Sequence, residues 1–177
     1  TAFYYIRGLS AYTARNLDEA HSNFKKVVLI MEENPKIMKE LSVRYVRALN
    51  NVMFSFMDYK DWTNSLAIIE KIKGLLNQKG FDSVRVQLKL FTYPHNAELL
   101  LNISRGEFQK AIDGVIPSIL KGIATYKNKI NNEETMLFYY NISRVYFGAR
   151  DYKNALKYIN LVLNHSEKGL REDVFTF

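Results

Sequence analysis

The sequence predicts an all-α chain, organised as an α-solenoid of about four antiparallel helix pairs. Three observations carry this. Short polar turns recur about every 45 residues; a small residue and then a bulky apolar one follow each turn at fixed offsets; and an amphipathic stretch of helical period precedes each turn.

The small residue sets the register. Ala20, Ser65, Ala111 and Ala155 are separated by 45, 46 and 44 positions. Three residues before each stands an aromatic or leucine anchor: Leu17, Trp62, Phe108 and Tyr152. A polar turn precedes the anchor, as Arg15-Asn16, Lys60-Asp61, Gly106-Glu107 and Arg150-Asp151. Four residues after the small position come Phe24, Ile69, Val115 and Ile159. A small side chain allows two helices to approach closely, and the bulky residue one turn later fills the groove beside it. Asn16, Asp61 and Asp151 are N-cap residues, whose side-chain oxygens accept from unpaired helix amides. Glu19, three residues after Asn16, completes a variant of the capping box.

Each unit therefore reads as helix A, tight turn, helix B. Helix A1 is expected to run to about residue 14 and B1 from about 17 to 33. Asn34-Pro35 opens A2, expected to reach about 58. B2 is expected over roughly 62–79, stopping at Gly80. A3 lies within 83–104 and B3 over about 107–130. Asn131 to Glu134 starts A4, expected to end near 149; B4 covers roughly 152–168, with Gly169 ending it. The units are thus about 1–34, 35–80, 81–131 and 132–169, with 170–177 starting a further helix. Together they form one array over 1–177, read as a piece of a longer chain.

Two segments conflict with the pattern. The stretch 83–93 alternates apolar and polar residues, which alone indicates a strand, and Pro94 follows. The repeat register requires a helix there, so a helix kinked or broken at Pro94 is expected. Pro117 is expected to bend B3, since it removes one hydrogen bond and crowds the preceding turn.

Composition narrows the function classes. The chain has no cysteine, which excludes disulfides and thiolate chemistry, and a net charge of +7 that permits an acidic partner. No apolar run approaches the roughly 20 residues that span a bilayer, so a soluble, cytoplasmic chain without membrane insertion is expected. His21, His95 and His165 stand far apart, and no metal-binding or phosphate-loop motif occurs. Ser42, Ser55 and Ser143 lie in helical stretches without the signature of an activated nucleophile. No enzyme activity, metal or cofactor is expected.

The order Gly8, Ala20, Phe24 resembles the tetratricopeptide repeat, as do Gly106, Phe108 and Ala111 in the third unit and Tyr146, Tyr152 and Ala155 in the fourth. The units are longer than the 34 residues usual for that repeat. Only Gly106 keeps the turn glycine; Arg15, Lys60 and Arg150 stand in the other turns. The resemblance implies a right-handed superhelix with the A helices lining a concave face. It places Tyr5, Leu9 and Tyr12 of the first unit on that face, then Arg47, Asn50, Phe54 and Met57 of the second. The third contributes Tyr93, Asn96, Leu100 and Ile103, and the fourth Tyr140, Arg144 and Phe147. Asparagine amides that both donate and accept, arginines that bind carboxylates, and aromatic surface suit a peptide.

The expected function is a non-catalytic protein- or peptide-binding scaffold. The alternatives are a peptide-sensing module of a larger bacterial regulator, or charge-driven nucleic-acid binding, which steep salt dependence would mark. Oligomeric state is left open.

Overall fold

The computed structural model describes residues 1–165, and the expectations for 166–177, including the end of B4 and the start of a further helix, lie outside them. Every regular element among the described residues is helical. In chain order these are α1 (Ala2–Thr13), α2 (Leu17–Glu32), α3 (Pro35–Glu40), α4 (Ser42–Asp58), α5 (Trp62–Lys73) and α6 (Val84–Arg105). Then come α7 (Phe108–Lys110), a π-helical stretch over Ala111–Val115, α8 (Ile116–Thr125), α9 (Asn132–Gly148) and α10 (Tyr152–His165). The described chain divides into two compact units, Thr1–Ala97 and the described residues from Glu98 onward, the division falling within α6. In the first, α1 packs on α2, α2 on α4 and α4 on α5; in the second, α9 packs on α10 and on the α7–α8 segment.

The four A-to-B turns are built alike. Arg15, Lys60, Gly106 and Arg150 have φ of 60°, 56°, 70° and 62°, the left-handed conformation that reverses the chain. The next residue donates its N–H to a carbonyl five positions back: Asn16 to Ala11 at 2.9 Å, Asp61 to Phe56 at 2.9 Å, Glu107 to Asn102 at 2.8 Å and Asp151 to Tyr146 at 2.9 Å. The left-handed residue donates three positions back, to Tyr12, Met57, Ile103 and Phe147 respectively. This pair of bonds is the Schellman motif, which satisfies carbonyls that helix A leaves unpaired. The same residue that completes the motif is the N-cap of helix B. Asn16 accepts from the Glu19 amide at 3.3 Å, and Asp61 and Asp151 accept from the Asn64 and Asn154 amides, each at 3.1 Å. The Asn64 and Asn154 side chains also donate to those carboxylates, holding both below the usual carboxylate range. Glu107, a longer side chain, makes no cap bond.

The small positions lie in the core: Ala20, Ser65 and Ala111 are fully buried, and Ala155 nearly so. Phe24 and Ile69 fill the space one turn later and are buried, while Val115 and Ile159 are half-buried. Of the anchors, Leu17, Trp62 and Phe108 are half-buried, whereas Tyr152 is 60% exposed. A side chain is excluded at Gly8, where a Cβ would lie 2.7 Å from Phe24 Cε1. Helices α2, α4 and α5 also share one polar node. Glu32 Oε1 accepts from the Tyr45 hydroxyl at 2.8 Å and from Lys71 Nζ at 2.6 Å. Burial and the carboxylate push the Tyr45 hydroxyl upward.

The structure departs from the expected helices in four places. A2 is not one helix: Leu41, at φ −108° and ψ 34°, separates α3 from α4. B2 ends at Lys73 rather than 79, and Asn77 (φ 64°) and Gly80 (φ 94°) turn the chain into A3. The alternating stretch 83–93 is helical from Val84, and α6 continues unbroken through Pro94. B3 ends at Thr125, and the strain at Pro117 is absorbed by the π-helical stretch before it. There the Ile116 N–H reaches back five residues to Ala111, so the widened turn ends just where proline offers no donor.

Three substitutions test this packing. Arg150→Gly is expected to raise stability by about 1 kcal/mol, because glycine takes the left-handed conformation without the steric cost of a Cβ; Gly106→Ala is expected to lower it by a similar amount. Denaturant midpoints measured at equal slope decide both. Gly8→Ala should cost about 1–3 kcal/mol by overpacking buried Phe24, exceeding the roughly 1 kcal/mol that alanine contributes to an exposed helix; a rise in midpoint would refute the close approach.

Candidate binding clefts

The α3–α4 break borders a concavity of the first unit. Ending α3 at Glu40 and restarting at Ser42 places Leu41, Ser42, Val43 and Arg44 along one wall of a cleft of about 600 Å³. Ala2, Tyr5 and Ile6 of α1 form another wall, and Arg47 and Ser83 complete the lining with Glu40. Arg44 and Arg47 are three residues apart on α4 and therefore neighbours on one side of it. Both are half-buried, and among the described residues neither has a carboxylate within ion-pair distance. Leu41 contributes no side-chain cap to α4. Tyr5 meets Phe24 edge-on, with ring centroids 6.0 Å apart, which ties this wall to the core.

The second unit carries a cleft of about 650 Å³ that is chiefly apolar. Ile103, Phe108, Phe147, Tyr152 and Leu156 supply its surface, and Arg144 stands on it. Phe147, Tyr152 and Leu156 are 66%, 60% and 59% exposed, so this is unfilled apolar surface. Phe147 and Tyr152 pair edge-on at 5.6 Å across the α9–α10 turn.

The residues singled out from the sequence divide between these clefts and the surrounding fold. Tyr5 and Arg47 come together in the first cleft, and Arg144 lies in the second. Tyr140 sits beneath the Arg144 guanidinium, 5.7 Å from its ring centre, and Arg144 Nη1 donates to Asn141 Oδ1 at 3.3 Å. Tyr12 is exposed on α1, its hydroxyl pushed up by partial burial and by Asp58. Phe54 is half-buried on α4. Asn50 is half-buried, and its Oδ1 is a buried acceptor that meets no donor. Tyr93 is half-buried under Lys89 Nζ at 4.8 Å. Asn96 is buried, with 7% of its surface exposed. Sequence reasoning passed over Arg44, although its spacing of three from Arg47 on an amphipathic helix carried the signal. It also passed over Ser83, which no local pattern marks.

One polar group resembles a catalytic pair and is arranged otherwise. His21 Nδ1 lies 2.7 Å from Ser55 Oγ, but Ser55 donates its proton to the Val52 carbonyl at 2.7 Å and is 1% exposed. The imidazole is thus the donor, which fixes the Nδ1–H tautomer and leaves the serine unactivated. His21 packs edge-on against Phe56 and Tyr59, and Tyr59 donates to Asp18 Oδ1 at 2.5 Å, which pushes its hydroxyl up to about 12. Among the described residues no three histidines or carboxylates gather as a metal site, and no helix is long and apolar enough to cross a membrane.

No protein-family model matches the chain, and no curated protein or solved structure matches it either.

Burial first, and then Lys25, lower the His21 pKa from 6.5, against the opposing pull of Asp18 and Asp61. The folded state therefore binds this proton less readily than the unfolded state. Its contribution is complete above pH 6.5 and declines as pH falls through 6.5 toward the lower folded value. A ¹⁵N NMR titration should give His21 a midpoint below 6.5 and the Nδ1–H tautomer at neutral pH. A midpoint above 6.5, or the Nε2–H form, would contradict this packing.

Proposed function

We propose that the chain is a non-catalytic protein- or peptide-binding scaffold, built as a tetratricopeptide-like right-handed solenoid of four lengthened helix pairs. The observation that carries the reading is the first cleft, where α1 and α4, both A helices, bring together an aromatic ring, unpaired guanidiniums and aliphatic walls. Tyr5, Ile6, Val43, Arg44 and Arg47 supply this mixture. Clefts of a few hundred Å³ with apolar walls and few oriented polar groups are the usual form of a ligand site. The four equivalent turns support the repeat architecture, since a unit with a fixed corner stacks on its neighbours through the same register. The second cleft supports a binding role independently, because Phe147, Tyr152 and Leu156 offer apolar contact beside a guanidinium.

Selection of a random peptide library on the immobilised chain, followed by affinity measurement, tests the reading. Selected peptides should bind the wild-type chain, and the Tyr5→Ala/Arg47→Ala double variant, still helical by circular dichroism, should bind about tenfold or more weakly. Equal binding to the variant would remove the first cleft as the site. Failure to select any peptide, with a single-stranded oligonucleotide binding and losing affinity steeply as salt rises, would favour the charge-driven alternative.

A further inference from the structure

The clearest unexplained charges in the fold are Arg44 and Arg47. Several cations find acids: Arg7 pairs with Glu19 at 2.7 Å, Lys71 with Glu32 at 2.6 Å and Arg105 with Glu107 at 2.5 Å, while others, among them Arg15, Lys60 and Arg150, are exposed to water. Arg44 and Arg47 are more enclosed than a typical surface cation, yet among the described residues neither meets a carboxylate. Partial burial of a charge without a partner costs free energy that a bound anion would recover. Glu40, the last residue of α3, also lines the cleft but is exposed and lies beyond ion-pair distance of both guanidiniums. It offsets one of the two charges and leaves the cleft with a net positive lining.

We infer that the Arg44–Arg47 cleft recognises a carboxylate carried between apolar side chains of a peptide. This rests on the scaffold reading and names the chemistry that the first cleft selects. Two guanidiniums on one side of α4 present planar forks, which bind a carboxylate through two parallel N–H donors. The hydroxyls of Ser42 and Ser83 stand on the same lining and can donate to a second oxygen. The walls set by Ile6, Leu41 and Val43 are apolar, so a bare inorganic ion would leave them unfilled, whereas flanking aliphatic residues would cover them. A volume of about 600 Å³ accommodates roughly two to four residues of a peptide.

The test uses ¹H–¹⁵N spectra of the whole chain titrated with four probes. These are the N-acetylated, C-amidated peptide Leu-Glu-Leu, its Leu-Gln-Leu counterpart, Leu-Gln-Leu with a free C-terminal carboxylate, and inorganic phosphate. The expected result is that the glutamate peptide shifts the resonances of residues 42–47 together with Tyr5 and Ile6. It should bind about tenfold or more tightly than the amidated glutamine peptide, and Arg44→Gln or Arg47→Gln should each abolish that difference. The same spectra report whether each variant remains folded. Matching affinity for the free-acid glutamine peptide would assign the carboxylate to a chain terminus rather than a side chain. Equal binding of the two amidated peptides at this cleft would leave a peptide groove standing and overturn carboxylate recognition. Phosphate shifting the same resonances while no peptide does would overturn the peptide ligand, and no shift from any probe would overturn the anion site altogether.

Discussion

The fold depends on one local constraint, the corner at which each A helix hands the chain to its B helix. A single residue in the left-handed conformation closes the first helix, and its successor both donates back into that helix and caps the next. There is no spare residue in this corner. The angle and phase of the two helices are therefore set within three positions, and the small residue four places after the cap falls where the helices approach. Ala20, Ser65 and Ala111 are fully buried because the corner delivers them there. The chain accepts Arg15, Lys60 and Arg150 in a conformation that disfavours a Cβ, a cost of roughly 1–2 kcal/mol each, which shows how strongly the remaining packing determines the corner.

Within the first unit, the proposed binding role rests on what α1 and α4 expose. Helix α4 turns Val46, Leu49 and Met53 into the core, and its remaining faces carry Arg44, Arg47, Asn50 and Phe54. The break at Leu41 changes what these residues can do. A continuous A2 would carry Glu40 to Arg44 along one straight cylinder; the interruption opens a concavity against α1 and lines it with Arg44, Arg47 and Tyr5. The fold and the candidate site are thus linked through one irregular residue.

The corners were legible because they rest on short-range chemistry. Asn16, Asp61 and Asp151 announce caps, Gly106 announces the left-handed residue, and the buried small positions repeat with them. The helix over Val84–Arg105 was legible only through the repeat, since its local alternation argued for a strand; period-two patterning yields when a helix is buried on several sides, as Val86, Leu90, Leu99 and Leu101 are. The break at Leu41 was not legible, because neither glycine nor proline marks it. Nor was the π-helical stretch, where Pro117 signalled strain but not the form of its relief. The site was partly legible for the same reason: Tyr5 and Arg47 follow from register, while Arg44 and Ser83 reach the cleft through the break and through the loop after α5. Asn96 shows the limit of register, since a position assigned to a binding face is buried in the structure.

The most direct measurement of the central claim is the detection of scalar couplings across hydrogen bonds in the deuterated chain, with the helix interiors as internal controls. Couplings are expected from the amides of Asn16, Asp61, Glu107 and Asp151 to the carbonyls of Ala11, Phe56, Asn102 and Tyr146. Their absence at these corners, with the helical couplings intact, would contradict the shared turn on which the repeat and its clefts are built.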